Sequence, residues 1–125
     1  MHKYLAAAGL NGAMGVAMGA WAAHGLEGLL PTTSLEWVRT GASYQLWHAA
    51  ALLGLAALAA RHATRLIAVA GFGLGVGALL FGGSLYLYAW SQVAWLAAIT
   101  PVGGALMILG WLAVLAAAFR VSARS

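Results

Sequence analysis

Four long hydrophobic runs divide the chain and predict its elements. They cover residues 4–23, 42–60, 66–89 and 101–119, and none of them contains Asp, Glu, Lys or Arg. A helix needs about 20 apolar residues to cross a hydrocarbon layer about 30 Å thick, and each run has roughly this length. Alternating strands of about ten residues are absent, and open sheet edges cannot be satisfied in lipid. The pattern predicts an all-α fold, an integral membrane four-helix bundle with four spans, in a single domain over residues 1–125.

Two segments outside the runs suggest where helices begin. Thr33 and Glu36 have the spacing of a capping box, which predicts that the second helix starts near Ser34, outside the membrane. Thr100 followed by Pro101 is typical of an N-cap with proline at the first helical position. This makes residues 90–99 an interfacial connection. The alternative is one long fourth helix with Pro101 inside it.

The composition excludes several classes of protein. Hydrophobic residues make up 64% of the chain and charged residues 6%, and the mean hydropathy is +0.92. A soluble domain has about 25% charged residues, which cover its surface. A soluble enzyme, a nucleic-acid-binding domain and a disordered tail are therefore excluded. The absence of cysteine also excludes disulfides, cysteine-ligated zinc and thiol catalysis.

Basic residues are distributed unequally between the two sides of the predicted bundle. With four spans, the termini and the loop between the second and third spans share one side, which has five basic residues: Lys3, Arg61, Arg65, Arg120 and Arg124. The other side has one basic residue and both acidic residues of the chain: Arg39, Glu27 and Glu36. By the positive-inside rule, both termini are expected in the cytoplasm.

The 17 glycines are expected to pack the helices against one another. Lipid tails are as apolar as leucine, so association depends on close backbone contact and on polar pairs. The predicted packing positions are Gly15, Gly19, Gly71, Gly75, Gly103 and Gly104, together with Pro101. Gly73 and Gly77 add an overlapping pair on the third helix, and the glycine faces of this helix are an alternative docking surface for a partner.

Polar side chains inside a membrane are costly and therefore indicate function. Four polar residues of the second helix share one face, because they are four positions apart: Glu36, Thr40, Tyr44 and His48. Under the predicted topology, polar groups of the other helices reach the same outer half of the bundle. The sequence therefore predicts a ligand-binding site in the outer leaflet, lined by His24, Tyr44, His48, Ser84 and Thr100.

His48 is the most unusual of these residues, because it is an imidazole within the bilayer. The favoured interpretation is a neutral histidine that is hydrogen-bonded to Tyr or Ser of a neighbouring helix. The second interpretation is a role in handling a ligand or a proton. A metal site formed with His24 is a weak third, because no short ligand spacing exists. Asn11, in the inner half, is interpreted as an interhelical hydrogen bond.

No catalytic set is visible in the sequence. There is no Asp, and both Glu residues lie outside the hydrophobic runs, so paired-carboxylate chemistry is not expected. A Ser84–His48 pair would lack an orienting carboxylate, since Glu36 lies three turns away. We therefore expect a protein that is not an enzyme and that uses no cofactor.

Several sequence blocks resemble the motifs of one small membrane family. They read GAWAAHGL at residues 19–26, YQLWHA at 44–49, FGGSLY at 81–86 and TPVGG at 100–104, and Gly110–Trp111 follows. With these blocks in this order, the chain resembles members of the family catalogued as domain of unknown function 423, which includes transmembrane protein 256. The resemblance implies a multi-pass protein of the bacterial inner (plasma) membrane and carries over no activity, substrate or cofactor. It marks the same candidate residues as motif positions: His24, Tyr44, His48, Ser84 and Thr100.

Two functions of different classes fit these observations. The first is a binding module, whose outer-leaflet site takes a lipid or another amphiphile such as a quinone-like molecule. The alternative is an accessory or structural subunit of a larger membrane complex, respiratory or transport. The expected partners are membrane lipid and either a second copy of the chain or a larger complex, and no nucleic acid.

Overall fold

The computed structural model of the protein describes residues 2–25 and 28–123. These residues form four helices: α1 (His2–His24), α2 (Thr32–Ala59), α3 (Arg65–Ser91) and α4 (Ala94–Ala123). The prediction of an all-α four-helix bundle is confirmed. Glu27 and Arg124, which entered the orientation argument, lie outside the described residues.

The predicted capping box at the start of α2 is wrong. The helix begins at Thr32, its N-cap is Pro31 with φ −57° and ψ 153°, and no side chain forms a capping hydrogen bond. Thr33 is already the second residue of the helix, so its hydroxyl is not at the capping position. Proline fits immediately before a helix because it needs no backbone donor there and its φ is fixed.

The predicted start of α4 at Pro101 is also wrong, and the alternative of one long helix is correct. The helix begins at Ala94 and contains Pro101 in its interior. Proline has no N–H group, so the Ala97 carbonyl loses its helical donor. Membrane helices tolerate this where neighbouring groups satisfy the freed carbonyl. The expected interfacial connection over residues 90–99 therefore reduces to the two residues between α3 and α4.

Gln92 allows the sharp turn between α3 and α4. Its backbone is left-handed, with φ 57° and ψ 21°, and its N–H donates to the Tyr88 carbonyl oxygen. Its side-chain amide donates to the Ser34 hydroxyl over 3.3 Å. At the same end of the bundle, the ring centroids of Trp21 and Trp90 are 5.5 Å apart. These contacts bring the end of α1, the start of α2 and the α3–α4 turn together.

The four helices alternate in direction, and α3 is the central one. It packs against α1, α2 and α4, and α1 also packs along α2. Across the described residues, α4 has no Cα atom within 8 Å of α1 or α2. The fourth helix is therefore attached to the rest of the bundle through α3, and α2 and α4 meet only through side chains.

Glycines of α3 allow α4 to approach at backbone distance. A Cβ atom on Gly77 would lie 2.8 Å from the Gly103 carbonyl oxygen and 2.8 Å from the Met107 nitrogen. A Cβ atom on Gly73 would lie 2.6 Å from the Leu106 carbonyl oxygen. These positions have no room for a side chain, and the two helices therefore interlock along this line.

The other predicted packing positions differ in how closely they are packed. Gly71 and Gly75 face α1, where Gly71 lies against the Tyr4 ring. A Cβ atom on Gly15 would lie 2.9 Å from the Cγ atom of Leu46 in α2. At Gly19 and Gly104 an added Cβ atom would make only ordinary contacts, at 3.6 Å and 3.9 Å. The glycine faces of α3 are buried within the bundle, so the idea that they form an exposed docking surface is wrong.

Three of the described helices are long and apolar enough to cross a membrane: α1, α3 and the Ala94–Arg120 part of α4. The α2 helix has 28 residues and the polar stripe found in the sequence, which lowers its hydropathy. Its polar side chains therefore need partners inside the protein.

Candidate functional site

A buried polar triad, made of Asn11, Gln45 and Tyr86, joins three helices at the centre of the bundle. The Gln45 amide nitrogen donates to the Asn11 side-chain oxygen over 2.9 Å, and the Tyr86 hydroxyl donates to the Gln45 amide oxygen over 2.6 Å. The Asn11 amide nitrogen donates to the Ala7 and Gly75 carbonyl oxygens. Gln45 has no exposed surface. The triad therefore satisfies the most deeply buried polar residue of α2 entirely within the protein.

The interhelical role predicted for Asn11 matches its two bonds to α2 and α3. The central place of Gln45 was missed, because the sequence places it only beside the polar stripe of α2. A signal was present: an amide has two donors and two acceptors, so an amide in a hydrophobic run needs several partners. A Cβ atom on Gly82 would lie 2.8 Å from the Cγ atom of Gln45, so a glycine makes room for this side chain.

A second cluster follows the line where α2 faces α4, and we call it the polar seam. It consists of Tyr44, His48, Ser84, Thr100 and Trp111. Ser84 and Thr100 join α3 to α4, with their hydroxyl oxygens 2.6 Å apart. The Ser84 hydroxyl also lies 3.1 Å from the Phe81 carbonyl oxygen. Four of the five predicted site residues therefore lie in one region of the molecule.

His48 has a fixed tautomer in this arrangement. The Trp111 indole N–H donates to its Nε2 atom over 3.1 Å, and indole nitrogen is a donor only. Nε2 is therefore unprotonated, and the Nδ1–H group donates to the Tyr44 carbonyl oxygen over 2.7 Å. His48 is a neutral imidazole that bridges α2 and α4, as in the favoured interpretation, but its partner is Trp rather than the expected Tyr or Ser.

Aromatic rings surround the imidazole. The Tyr44 ring is stacked on His48, with centroids 6.1 Å apart and an interplanar angle of 12°. The Phe81 ring of α3 contacts Tyr44 at 4.6 Å, and Trp111 meets His48 edge-on at 5.9 Å. The polar seam therefore has an aromatic wall with a few hydrogen-bonding groups, as small-molecule sites commonly have.

The Tyr44 hydroxyl differs from the other polar groups of the seam. Among the described residues it has no hydrogen-bond partner, although every fully buried side-chain nitrogen or oxygen atom there has one. The hydroxyl is thus reachable from outside the protein. It lies 12 residues after Thr32, about 18 Å along the α2 axis. Tyr4 and Tyr88, in contrast, are within three residues of helix ends.

His24 is not part of the polar seam. It is the exposed last residue of α1, whereas the residue next to His48, Ala49, packs near Gly12 on α1. Gly12 and His24 are twelve residues apart on α1, which corresponds to about 18 Å along the helix axis. The prediction that His24 lines one site with the other four residues is therefore wrong. The same separation excludes a metal site formed by His24 and His48. No group of three or more His, Asp or Glu residues in the described ranges could bind a metal ion.

His48 lies 16 residues, about 24 Å, from the start of α2 and about 16 Å from its end at Ala59. It is therefore the deepest residue of the polar stripe that the sequence predicts on α2.

Trp111 is the one seam residue that was not predicted from the sequence. It lies in the middle of an apolar helix rather than near a helix end, where tryptophan anchors a protein to the interface. A tryptophan away from the interface needs an acceptor for its N–H group, and this need was the available signal.

Comparison with known proteins identifies the family. The family model described as "Protein of unknown function (DUF423)" matches residues 18–104. A UPF0382 membrane protein of Haemophilus influenzae is 38% identical over 119 residues, which is 95% of each chain. The UPF0382 membrane protein YwdK of Bacillus subtilis is 36% identical and covers 96% of this chain and 98% of its own.

A third relative has a name that also gives a location. The UPF0382 inner membrane protein YgdD of Escherichia coli is 37% identical over 114 residues, or 91% of this chain and 87% of its own. No solved structure matches the chain. The extent of the family match and the near full-length coverage of these relatives show that the chain is a bacterial membrane protein of the DUF423 family.

Proposed function

We propose that all four helices cross the bacterial inner membrane and that both termini are cytoplasmic. The alternating directions of the helices support this topology, because α1, α3 and α4 are apolar enough to span and α2 lies between α1 and α3. The 28 residues of α2 extend about 42 Å, longer than the hydrocarbon layer. Its polar side chains Gln45 and His48 have partners within the protein.

We also propose that the protein is not an enzyme and that it binds an amphiphile along the polar seam. The Tyr44 hydroxyl is the observation that carries this proposal. A phenol just inside the hydrocarbon without a partner forfeits a hydrogen bond that hydrocarbon cannot supply. A ligand with a hydrogen-bonding group would supply it.

The depth of the seam limits the kind of ligand. Tyr44 lies five residues, about 7.5 Å along the helix axis, below the exposed Arg39, which places it just below the level of the lipid headgroups in the proposed topology. A mostly hydrophobic molecule with a polar ring, such as a quinone, fits this depth better than a headgroup. The aromatic wall formed by Phe81 and His48 beside Tyr44 suits a flat ring.

Tyr44→Phe tests this proposal, because it removes one oxygen atom and no intramolecular hydrogen bond. The protein is extracted gently from native membranes, and the co-purified small molecules are identified by mass spectrometry. The wild type is expected to retain a hydrophobic molecule with a hydrogen-bonding group. Retention in Tyr44→Phe should fall about fivefold to tenfold, the equivalent of one hydrogen bond of about 1 kcal/mol.

Tyr88→Phe is the matched control, since Tyr88 lies near the end of α3 and packs on Trp37. It is expected to retain the ligand as the wild type does. Equal retention in both variants, or no bound molecule in the wild type, would contradict the proposal. In the second case, cross-linking to one constant partner in native membranes would support the accessory subunit instead.

A further inference from the structure

A groove runs along the outside of the bundle between α1 and α3. Its volume is about 480 Å³, within the range of roughly 300–1,000 Å³ that is common for small-molecule sites. The lining residues belong to α1 and α3, and none of them belongs to α4. The groove is separate from the polar seam, because the two share no lining residue.

The groove is apolar along most of its length. Leu10 and Phe72 line it and are 51% and 61% exposed, so they form raised rims. Between them, a Cβ atom on Gly75 would lie 3.2 Å from the Ala7 Cβ atom, which shows how closely the two helices approach at the floor. Asn11 also lines the groove, but its amide nitrogen already donates to two carbonyl oxygens. Such a surface matches a hydrocarbon chain.

One end of the groove is cationic. Lys3 lines that end, and its Nζ atom lies 5.2 Å from the centroid of a tyrosine ring. Ala68 lines the groove on α3, and Arg65 lies one turn before it on the same helix face. Of the two acidic residues of the chain, Glu36 lies in the first turns of α2, at the opposite end of the bundle.

We propose that this groove binds an anionic phospholipid. One acyl chain lies along the apolar floor, and the phosphate group lies at Lys3 and Arg65. Charge complementarity selects this occupant, since basic side chains near a membrane surface attract anionic lipids. A second copy of the chain, docked in the same orientation, would place two cationic ends side by side, which is unfavourable.

Native mass spectrometry of the purified protein tests the proposal with two lipids of equal chain length. The probes are phosphatidylglycerol, which is anionic, and phosphatidylcholine, which is zwitterionic. The wild type is expected to retain phosphatidylglycerol about fivefold better, the equivalent of one basic side chain at the phosphate. Lys3→Ala should remove most of this preference. Arg39→Ala, which removes an exposed cation at the opposite end, should leave it unchanged.

A second pair of variants tests the groove itself. Ala68→Leu adds bulk to the lining and is expected to lower retention of both lipids, whereas Ala13→Leu adds the same bulk to the exposed face of α1 outside the groove and should not. Equal retention of both lipids by the wild type would overturn the proposal. Equal losses in Lys3→Ala and Arg39→Ala, or a dimer that excludes lipid, would overturn it as well.

Discussion

Gln45 is the residue on which α1, α2 and α3 converge. Its amide group uses both its nitrogen and its oxygen for hydrogen bonds to different helices, and no water reaches it. Interhelical hydrogen bonds in membranes contribute about 0.6 kcal/mol on average and up to about 1.7 kcal/mol. The larger energetic effect is the cost of leaving a buried partner unsatisfied, about 1–3 kcal/mol.

Gln45→Leu should therefore destabilise the bundle by about 1–3 kcal/mol, because it leaves the Asn11 oxygen and the Tyr86 hydroxyl without their partner. The free energy of unfolding in mixed micelles measures this effect. The double variant Asn11→Leu/Gln45→Leu should lose less than the sum of the single variants, since the second substitution removes a group that the first has already left unpaired. Strictly additive losses would show that the triad does not act as a unit.

The identity of such partners could be predicted from the sequence only in part. His48 is conspicuous because an imidazole is rare in a hydrophobic run, and its face on α2 follows from helical spacing. Whether Trp111 reaches His48 depends on how α4 is rotated about its own axis. The α4 helix is apolar on all sides, with no hydrophobic face to mark the side that turns inward, so the sequence does not specify this rotation.

At the scale of elements, the α3–α4 pair depends on backbone contact rather than on side chains. Gly77 of α3 lies against Gly103 and Met107 of α4. The four hydrophobic runs predicted the number and order of helices correctly. The start of α4 was misplaced because Thr-Pro occurs both at the start of a helix and within a membrane helix. The helical residues from Ala94 onward show that Pro101 is in the interior here.

Gly77→Ala should separate α3 from α4, since the added methyl group meets backbone atoms that cannot rotate away. The expected destabilisation is about 1–3 kcal/mol, measured as the free energy of unfolding in mixed micelles. Gly83→Ala is the matched control on the same helix, because an added Cβ atom there has nothing within 4 Å. It should be neutral or slightly stabilising, by up to about 1 kcal/mol. Equal destabilisation by both variants would argue against backbone interlocking.

For the whole molecule, the central claim is our proposal that α2 crosses the membrane with its polar stripe. The helix is enclosed by α1 on one side and α3 on another, and its Gln45 and His48 side chains are hydrogen-bonded to other helices. Its exposed charged residues, Glu36 and Arg39, lie in the first two to three turns, which extend beyond the hydrocarbon in the proposed topology. The other helices therefore supply the hydrogen-bond partners for Gln45 and His48 that lipid could not.

Labelling of single cysteines at the two ends of α2 tests this account most directly. The chain has no cysteine of its own, so Thr33→Cys and His62→Cys, both at exposed positions, each report one site. With a membrane-impermeant maleimide on spheroplasts, the cysteine at position 33 is expected to react from outside. The cysteine at position 62 should react only after the membrane is opened. Reaction of both cysteines from the same side would show that α2 does not cross.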